Sequence, residues 1–267
     1  MTSRVDILGV RVDAQTLDGA VDRIGAWVDR RTPSYVCVTG VHGVMASQDD
    51  LELRRIHDGA GMVATDGMPL VWISRRRVRL DGSPGESIER VYGPDLMLRA
   101  FERSEATGWR HFFYGADGAT LDRLAAALHQ QFPRAAIAGC HSPPHRPLDP
   151  REDRATAARI ARTGADIVWV GLSTPKQERW MASHVGRVGA PVLVGVGAAF
   201  DFLAGTKRQA PRWMRQAGLE WAFRMACEPR RLAGRYLRNN PRFLYLLTKQ
   251  ALGRRPVTWN DNADHSP

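Results

Sequence analysis

The stretch Pro191-Val-Leu-Val-Gly-Val-Gly-Ala-Ala-Phe-Asp201 decides the fold of this chain. It predicts a buried strand over Val192 to Val196, because no side chain in that run is polar. Small residues follow, where the backbone can approach a ligand closely. After Asp201 comes a series of cations, Lys207, Arg208, Arg212 and Arg215. This order is typical of an anion site at a sheet edge, although a plain strand and turn before a solvated basic helix would look the same.

Short apolar runs alternate with helical patterns on the N-terminal side of this stretch. The predicted strands are 5–12, 35–38, 61–64, 110–114, 135–139, 166–171 and 192–196. The predicted helices are 16–30, 41–60 with a break near Asp49-Asp50, 68–74, 94–107, 120–131, a segment ending at Thr163, and 176–184. Residues 75–90 are rich in Arg and Gly and predict a mobile loop. The alternation predicts an α/β fold with three Rossmann-like layers and a mostly parallel sheet.

The pattern changes after Pro211, where strands give way to three predicted helices, 212–227, 229–239 and 241–253. From Thr206 to Arg255 there are about 13 Lys and Arg residues against two acids, Glu220 and Glu228, whereas the rest of the chain is close to neutral. We therefore predict a core over 1–208, a C-terminal appendage of basic helices over 209–255 and a disordered tail over 256–267. Nucleic acid, anionic lipid and a polyphosphate ligand are three candidate partners for such charge.

Composition and absent motifs exclude several classes. No run of about 18 apolar residues and no signal-peptide core occur in the 267 residues, so we expect a cytoplasmic protein. The three cysteines lie far apart, and neither Asp-x-Asp nor a metal-ligand spacing is present, so we expect no metal and no cofactor. Walker and Gly-x-Ser-x-Gly motifs are missing, and Phe200 stands where a dinucleotide fingerprint needs glycine. Kinase, hydrolase and dehydrogenase functions therefore lack support.

Candidate site residues follow the ends of the predicted strands, where a parallel sheet would bring them to one edge. They are Thr39, Asp66, Gly115, Gly118, Gln177, Glu178 and Asp201. Asp66 could act as a general base, but its position before a helix equally suits a helix cap, which position alone favours. Gly115-x-x-Gly118 could place backbone N–H groups against a phosphate, although Asp117 would repel an anion if it pointed inward.

Three side chains, two of them named above, suit the binding of a nucleotide-sugar. Gln177 could hydrogen-bond a nucleobase or sugar, and Glu178 could do the same or take part in a capping arrangement. Arg90 could hold a diphosphate through its two-pronged guanidinium, and its alternative is a surface salt bridge.

Several motifs together resemble the WecG/TagA/CpsF family of bacterial glycosyltransferases, in the family's order from about Val5 to Leu252. They are Thr65-Asp-Gly-Met-Pro-Leu-Val-Trp72, Arg90-Val-Tyr-Gly-Pro-Asp-Leu-Met97, Val170-Gly-Leu-Ser-Thr-Pro-Lys-Gln-Glu-Arg-Trp180, Gly195-Val-Gly-Ala-Ala-Phe-Asp-Phe-Leu-Ala-Gly205, Ala210-Pro-Arg-Trp213, Gly218-Leu-Glu-Trp221 and Glu228-Pro-Arg-Arg-Leu232. Each motif is modest alone, and the set is specific.

The resemblance implies an inverting, metal-independent enzyme with a Rossmann-like core. Such enzymes move a sugar, typically of the N-acetylmannosamine type, from UDP to a polyprenyl-diphosphate-linked sugar at the inner face of the cell membrane. Asp66 matches the family's proposed base, and Thr39 a threonine near the reacting sugar. The residues matching the nucleotide-sugar site are Arg90, Gln177 and Asp201. The appendage is expected to dock on the membrane, with Arg224 and Arg231 facing the diphosphate.

The chain departs from the family pattern at two positions. Val41 stands where many members have Asn, and Ser173 where many have Gly. The first departure leaves the donor sugar open, and the sequence also leaves open whether the protein forms a homo-oligomer. The alternative function is a non-enzymatic nucleic-acid binder that uses the basic C-terminal helices. The resemblance favours the enzyme, and with it no nucleic-acid partner.

Overall fold

A computed structural model of the protein describes residues 3–80 and 87–253, without the side chains of residues 231 and 235. A hairpin of β1 (Arg4–Ile7) and β2 (Val10–Asp13) precedes the main sheet. The six strands of that sheet are β3 (Ser34–Thr39), β4 (Met62–Thr65), β5 (Arg110–Gly115), β6 (Ala136–His141), β7 (Ile167–Gly171) and β8 (Val192–Gly195). They are all parallel and lie in the order β4-β3-β8-β7-β5-β6.

Helices connect the strands and cover both faces of the sheet. They are α1 (Leu17–Asp29), α2 (Val41–Asp49), α3 (Leu51–Gly59), α4 (Met68–Leu80), α5 (Gly93–Thr107), α6 (Gly118–Gln131), α7 (Pro150–Arg162), α8 (Lys176–His184) and α9 (Ala199–Leu203). Side chains alternate across β7, so that Val168 and Val170 join one core and Ile167 and Trp169 the other. The predicted three-layer parallel α/β fold is therefore confirmed.

The opening strand predicted over 5–12 is wrong, because the chain reverses at Leu8 and Gly9, both with positive φ, and forms the hairpin. The hairpin lies beside the outer strand of the sheet: the backbone N–H of Val63 donates to the Asp13 carboxylate over 2.7 Å. Local helix signals were more reliable. Thr16 caps α1 at the predicted start of that helix, and Asp50 breaks the 41–60 helix by capping α3.

The carboxyl ends of the parallel strands form one edge of the sheet, on which the predicted site residues lie. Thr39 and Thr65 end their strands side by side in register, with Gly195 one strand further along. Gly115 and Gly171 are paired at the same edge in the other half of the sheet. The topology thus brings distant segments together at this edge.

The C-terminal helices differ from the three predicted. The first divides at Gly218, which has a φ of +72°, into α10 (Arg212–Gln216) and α11 (Glu220–Cys227). The second and third are one helix, α12 (Pro229–Ala251), which continues through Pro241. Proline removes one helical hydrogen bond, but this turn faces solvent, so water can satisfy the carbonyl left over.

Several contacts hold α12 on the core. Leu232 and Phe243 are buried, and Arg242 binds Asp49 of α2 through two hydrogen bonds of 2.6 and 2.7 Å. Gln250 accepts from the backbone N–H of Leu8 and donates to Asp6 of the hairpin. Between residues 3 and 253, omitting 81–86, no helix is both long and apolar enough to cross a membrane.

Two sequence predictions concern the 75–90 loop and the C-terminal tail. Residues 75–80, predicted as loop, extend α4, since Val78 is buried against the core. Residues 87–90 of that loop have no regular secondary structure, whereas 81–86 lie outside the described residues, as does the predicted disordered tail over 256–267.

Candidate active site

Asp66 lies at the carboxyl edge of the sheet, immediately after β4. Its backbone N–H donates to the carbonyl of Thr39 over 2.9 Å, which fixes it against the end of β3. Its carboxylate accepts from Arg90 rather than from the N–H groups of α4, so it does not serve as a helix cap. The side chain remains 35% exposed. A carboxylate held at a sheet edge and open to solvent can take a proton from a bound molecule.

Arg90 connects Asp66 to the C-terminal helices. Its Nε donates to the backbone carbonyl of Asp66, and its Nη2 donates to the Asp66 carboxylate over 3.1 Å and to Glu220 of α11 over 2.5 Å. The guanidinium carbon lies 4.1 Å from the centre of the Tyr92 ring, a cation–π contact. Only 15% of the Arg90 side chain is exposed. Arg90 is thus a buried part of the site and not a surface salt bridge.

Burial raises the pKa of Asp66 from 3.8 to about 6. Arg90 and Arg224 oppose this shift because they stabilise the carboxylate, whereas Glu220 adds to it by like-charge repulsion. At neutral pH the group is mostly ionised, yet it binds a proton more readily than an ordinary aspartate. That balance suits a general base.

Thr39 belongs to a buried chain of hydrogen bonds. Its hydroxyl lies 2.9 Å from Nε2 of His57, and Nδ1 of His57 lies 3.0 Å from the carbonyl of Leu53. A carbonyl can only accept, so Nδ1 carries the hydrogen, and burial lowers the pKa of His57 and keeps the ring neutral. The Thr39 hydroxyl therefore donates to Nε2. Thr39 thus holds Asp66 through its backbone carbonyl, while its side chain is hydrogen-bonded to His57 of α3.

Gln177 and Glu178 brace the turn after β8. The Gln177 carbonyl oxygen accepts from the backbone N–H of Gly197 over 3.0 Å, and its amide donates to Glu178 over 3.1 Å. The Thr174 hydroxyl also donates to Glu178, over 2.9 Å. Both side chains are buried, and burial raises the pKa of Glu178. The close approach expected at Gly195 is made by the protein itself, because a Cβ there would lie 3.1 Å from the Gln177 amide nitrogen.

Gly115 and Gly118 lie in the half of the sheet formed by β7, β5 and β6. Gly115 has a φ of +125°, and a Cβ there would lie 2.6 Å from the carbonyl oxygen of Gly171. Asp117 caps α6, since its carboxylate accepts from the backbone N–H of Thr120 over 2.8 Å. A phosphate at this helix end would therefore meet the protein's own carboxylate. The phosphate role of the two glycines stays a prediction, and at Gly115 the close approach is made by the backbone of Gly171.

Asp201 and the predicted arginines lie near the C-terminal helices. Asp201 accepts from the Lys207 ammonium over 2.7 Å, which joins α9 to the segment that leads into the C-terminal helices. The Arg224 guanidinium lies 5.8 Å from the centre of the Phe202 ring and close enough to Asp66 to act on its charge. Arg231 is on α12, but its side chain is outside the described residues.

The sequence missed two members of the site, Glu220 and Tyr92. Glu220 is 14% exposed and belongs to a segment in which acids are rare, and that rarity was the available signal. Tyr92 lies between two guanidinium groups, those of Arg90 and Arg215, at 4.1 and 5.4 Å from its ring centre. Its hydroxyl accepts from Gln209 over 3.1 Å, and burial raises its pKa.

The two departures from the resemblance have different structural settings. Ser173 has a φ of +65°, a conformation that suits glycine, so glycine at this position would relieve backbone strain. Val41 begins α2 and packs its partly buried side chain on the core. Within residues 3–80 and 87–253, no three His, Cys, Asp or Glu side chains gather as a metal site. Metal independence stays a prediction.

Comparison with known proteins gives one consistent result. The family described as "Glycosyl transferase WecG/TagA/CpsF family" matches residues 5–257. An N-acetylglucosaminyldiphosphoundecaprenol N-acetyl-beta-D-mannosaminyltransferase from Staphylococcus aureus strain NCTC 8325 is 28% identical over 251 residues, which cover 93% of each chain. The protein of the same name from strain MRSA252 matches with the same identity and coverage.

Proposed function

Because the chain belongs to the WecG/TagA/CpsF family of glycosyltransferases, we propose that it transfers an N-acetylmannosamine-type sugar, or its uronic acid, from UDP to a sugar on polyprenyl diphosphate. The name of the Staphylococcus aureus relatives supports both the sugar and the lipid-linked acceptor. The observation that carries the proposal is Asp66, which lies at the sheet edge, is held by Arg90 and has its pKa raised to about 6.

Asp66 takes the proton of the acceptor hydroxyl in the proposed reaction. The hydroxyl oxygen attacks the anomeric carbon of the donor sugar, and the bond from that carbon to the β-phosphate oxygen breaks. UDP leaves with the bonding electrons, and the configuration at the anomeric carbon inverts. One base and one stabilised leaving group suffice for such a transfer, whereas a retaining enzyme needs a second nucleophile.

Arginines stabilise the departing diphosphate in this proposal, and no metal ion is used. Arg90 and Arg224 lie beside Asp66, and Arg231 is on the helix that follows. A fixed guanidinium that gains an anion as the bond breaks stabilises the transition state more than the substrate. Thr39, Gln177 and Asp201 shape the donor pocket. Gln177 and Glu178 act in this assignment by fixing the turn after β8, and Gly115 and Gly118, in the other half of the sheet edge, are left out of the donor pocket.

The test of this proposal is transfer by Asp66→Asn. We expect the variant to lose at least about a thousandfold in transfer from UDP-N-acetylmannosamine to a synthetic lipid-diphosphate-linked N-acetylglucosamine, while it still binds UDP. Asp58→Asn is the matched control, since Asp58 is a surface carboxylate paired with Arg11. Near-normal transfer by Asp66→Asn would remove Asp66 as the base. Donors with other N-acetylhexosamines, run in parallel, identify the sugar.

The alternative function from the sequence is binding of nucleic acid by the basic helices. It would give steeply salt-dependent binding of RNA or DNA and no stabilisation by UDP. A rise in melting temperature with UDP, together with transfer activity, supports the enzyme. Salt-dependent RNA or DNA binding without any response to UDP supports the alternative.

We also propose that α12 places the enzyme on the inner face of the cell membrane. Pro229–Ala251 contains no acidic residue, and Leu237 and Leu244 are 71% and 63% exposed on its outer face. Exposed Tyr245 lies beside Leu244, and Arg230 and Arg238 are exposed on the same helix. Apolar side chains flanked by cations suit an anionic lipid surface.

Vesicle sedimentation tests the membrane proposal. The double variant Leu237→Glu and Leu244→Glu should bind vesicles of mixed phosphatidylcholine and phosphatidylglycerol at least tenfold more weakly than the wild type, because it adds charge to the docking face. Leu51→Glu, at a leucine 50% exposed on α3, is the control and should bind normally. Equal binding by the double variant and the control would exclude α12 as the docking face.

A further inference from the structure

Neither the sequence nor the comparisons assign a role to Glu220. It lies on α11, 130 residues away from Arg90 in sequence, and accepts from Nη2 of that arginine over 2.5 Å. The same nitrogen donates to Asp66 over 3.1 Å. One guanidinium nitrogen is thus shared by a carboxylate of the core and a carboxylate of the C-terminal helices.

Asp66 already has two arginines near it, so the presence of a second carboxylate, Glu220, needs an explanation. The groups that face it are the cations Arg90 and Arg224, the phenol Tyr92 and the anion Glu220. Arg90 and Arg224 alone would hold Asp66 in its ionised form and weaken it as a base. Glu220 offsets part of their effect by like-charge repulsion, and it contributes to the raised pKa of Asp66.

The C-terminal helices also have anchors on the core other than Glu220. Arg242 binds Asp49 through two hydrogen bonds, and Gln250 bonds to the hairpin, so α12 has its own anchors on the core. Leu232 and Phe243 are buried there as well. These contacts act at α12, whereas Glu220 acts at Arg90. The two can therefore be separated by mutation.

We infer that Glu220 is a positioning residue: by sharing Arg90 with Asp66, it links the docking of α11 to the protonation of the proposed base. This inference rests on the proposed role of Asp66. The link works in both directions, because two sites coupled by a free energy affect each other equally. An ionised Asp66 repels Glu220, and a protonated Asp66 does not. We therefore expect α11 to dock most firmly once Asp66 has taken the proton.

The test is the pH dependence of kcat/KM in the full-length enzyme, which reports the ionisation of the free enzyme. Glu220→Gln keeps a hydrogen-bond acceptor for Arg90 but removes the charge. We expect its acid limb to move to lower pH by about one unit, and its plateau to fall several-fold because the base is weaker. Glu220→Asp, which restores the charge, should return the limb toward the wild-type pH. A purely structural role would lower activity at every pH and leave the limb in place.

Asp49→Asn is the matched control, since it weakens the α12 anchor without touching Arg90. It should leave the acid limb unmoved. An unmoved limb in Glu220→Gln, or an equal shift in Asp49→Asn, would overturn the inference. Asp66→Asn, assayed alongside, separates the two proposals. If it is inactive and the Glu220→Gln limb stays in place, only the role of Glu220 fails; if it is active, the proposed base itself fails.

Discussion

The two halves of the sheet edge look alike in sequence but differ in structure. In both, a buried strand ends in small residues and an acid, Thr65-Asp-Gly67 in one and Gly115-Ala-Asp-Gly118 in the other. In the half formed by β4, β3 and β8, the Asp66 carboxylate accepts from Arg90. In the half formed by β7, β5 and β6, Asp117 caps its helix and has no such cation among its described partners.

The difference shows what makes an acid available for chemistry. Asp117 lies in an exposed turn where backbone N–H groups satisfy it, and they lower its pKa. Asp66 is half-buried, and burial raises its pKa despite two nearby arginines. The C-terminal helices supply the second carboxylate and one of those arginines to the β4–β3–β8 half. Four predictions test this contrast, from the largest expected effect to the smallest.

The largest effect concerns the arginines of the two halves. Arg90→Lys keeps the charge but loses the fork that reaches the Asp66 carbonyl, the Asp66 carboxylate and Glu220 together. We expect kcat/KM for transfer to fall at least about 100-fold. Arg159→Lys is the matched change in the other half, where Arg159 contacts His141 at the end of β6. It should change kcat/KM less than about twofold. Similar losses in both variants would show that the halves contribute alike.

The next effect concerns Gly115 and Gly118, which a phosphate-binding turn would need equally. Gly115→Ala would place a Cβ 2.6 Å from a backbone oxygen at a φ of +125°, so we expect a loss of at least about 2 kcal/mol in the free energy of unfolding. At Gly118 no atom lies within 4 Å of a Cβ, and alanine there should leave stability unchanged or raise it by about 0.5 kcal/mol. Urea unfolding measures the free energy of unfolding of both variants.

The same two alanine variants also test function, through the KM for the UDP-sugar. If Gly118 only begins a helix, Gly118→Ala leaves this KM within about twofold of the wild type. A large rise in KM with unchanged stability would restore the phosphate role predicted for this turn and break the contrast between the two halves.

The sequence predicted the sheet well because its signal is local. Buried runs such as Val168 to Val170 and helix starts such as Thr16 and Asp50 depend on neighbours within a few residues. The 5–12 hairpin was missed because its turn, Leu8-Gly9, lies within an apolar alternation that continues on both sides. Pro241 was misjudged because the cost of a helical proline depends on which side of the helix faces water.

The site was predicted only in part for the same reason. The position of Asp66 at a strand end is visible in sequence, and the resemblance favoured it over a cap. Its raised pKa and its link to Glu220 were not visible, because they depend on contacts between segments far apart in the chain. The hydrogen bond that Gln177 offers to a nucleobase or sugar stays a prediction, and the bond of its carbonyl oxygen to Gly197 was likewise not visible in the sequence. Sequence position indicates the neighbourhood of a side chain and not the partner it finds there.

A smaller effect is expected in the stability of Asp66→Asn. A carboxyl whose pKa is raised from 3.8 to about 6 favours folding while it is protonated; that contribution is complete below pH 3.8 and lost as the pH rises through about 6. Asparagine cannot ionise, so the variant should be more stable than the wild type by about 1 kcal/mol at pH 8, a figure reduced because a third of the side chain is exposed.

Thermal unfolding between pH 4 and pH 8 measures this effect. The difference in melting temperature between Asp66→Asn and the wild type should be largest at pH 8 and nearly disappear at pH 4. Asp58→Asn serves again as the control and should show no such trend. A variant less stable than the wild type at pH 8 would mean that the two arginines outweigh burial at this site.

The smallest effect is expected at the acid of the other half, Asp117. Asparagine caps helices as well as aspartate does, so Asp117→Asn should unfold within about 1 °C of the wild type, and Asp117→Ala should unfold about 2 °C lower because the cap is lost. Neither should change the KM for the donor. If the donor diphosphate instead lay at this helix end, removing the negative charge in Asp117→Asn would lower that KM. Unchanged KM values in both variants, beside the losses expected at Asp66 and Arg90, would confine the donor to the β4–β3–β8 half.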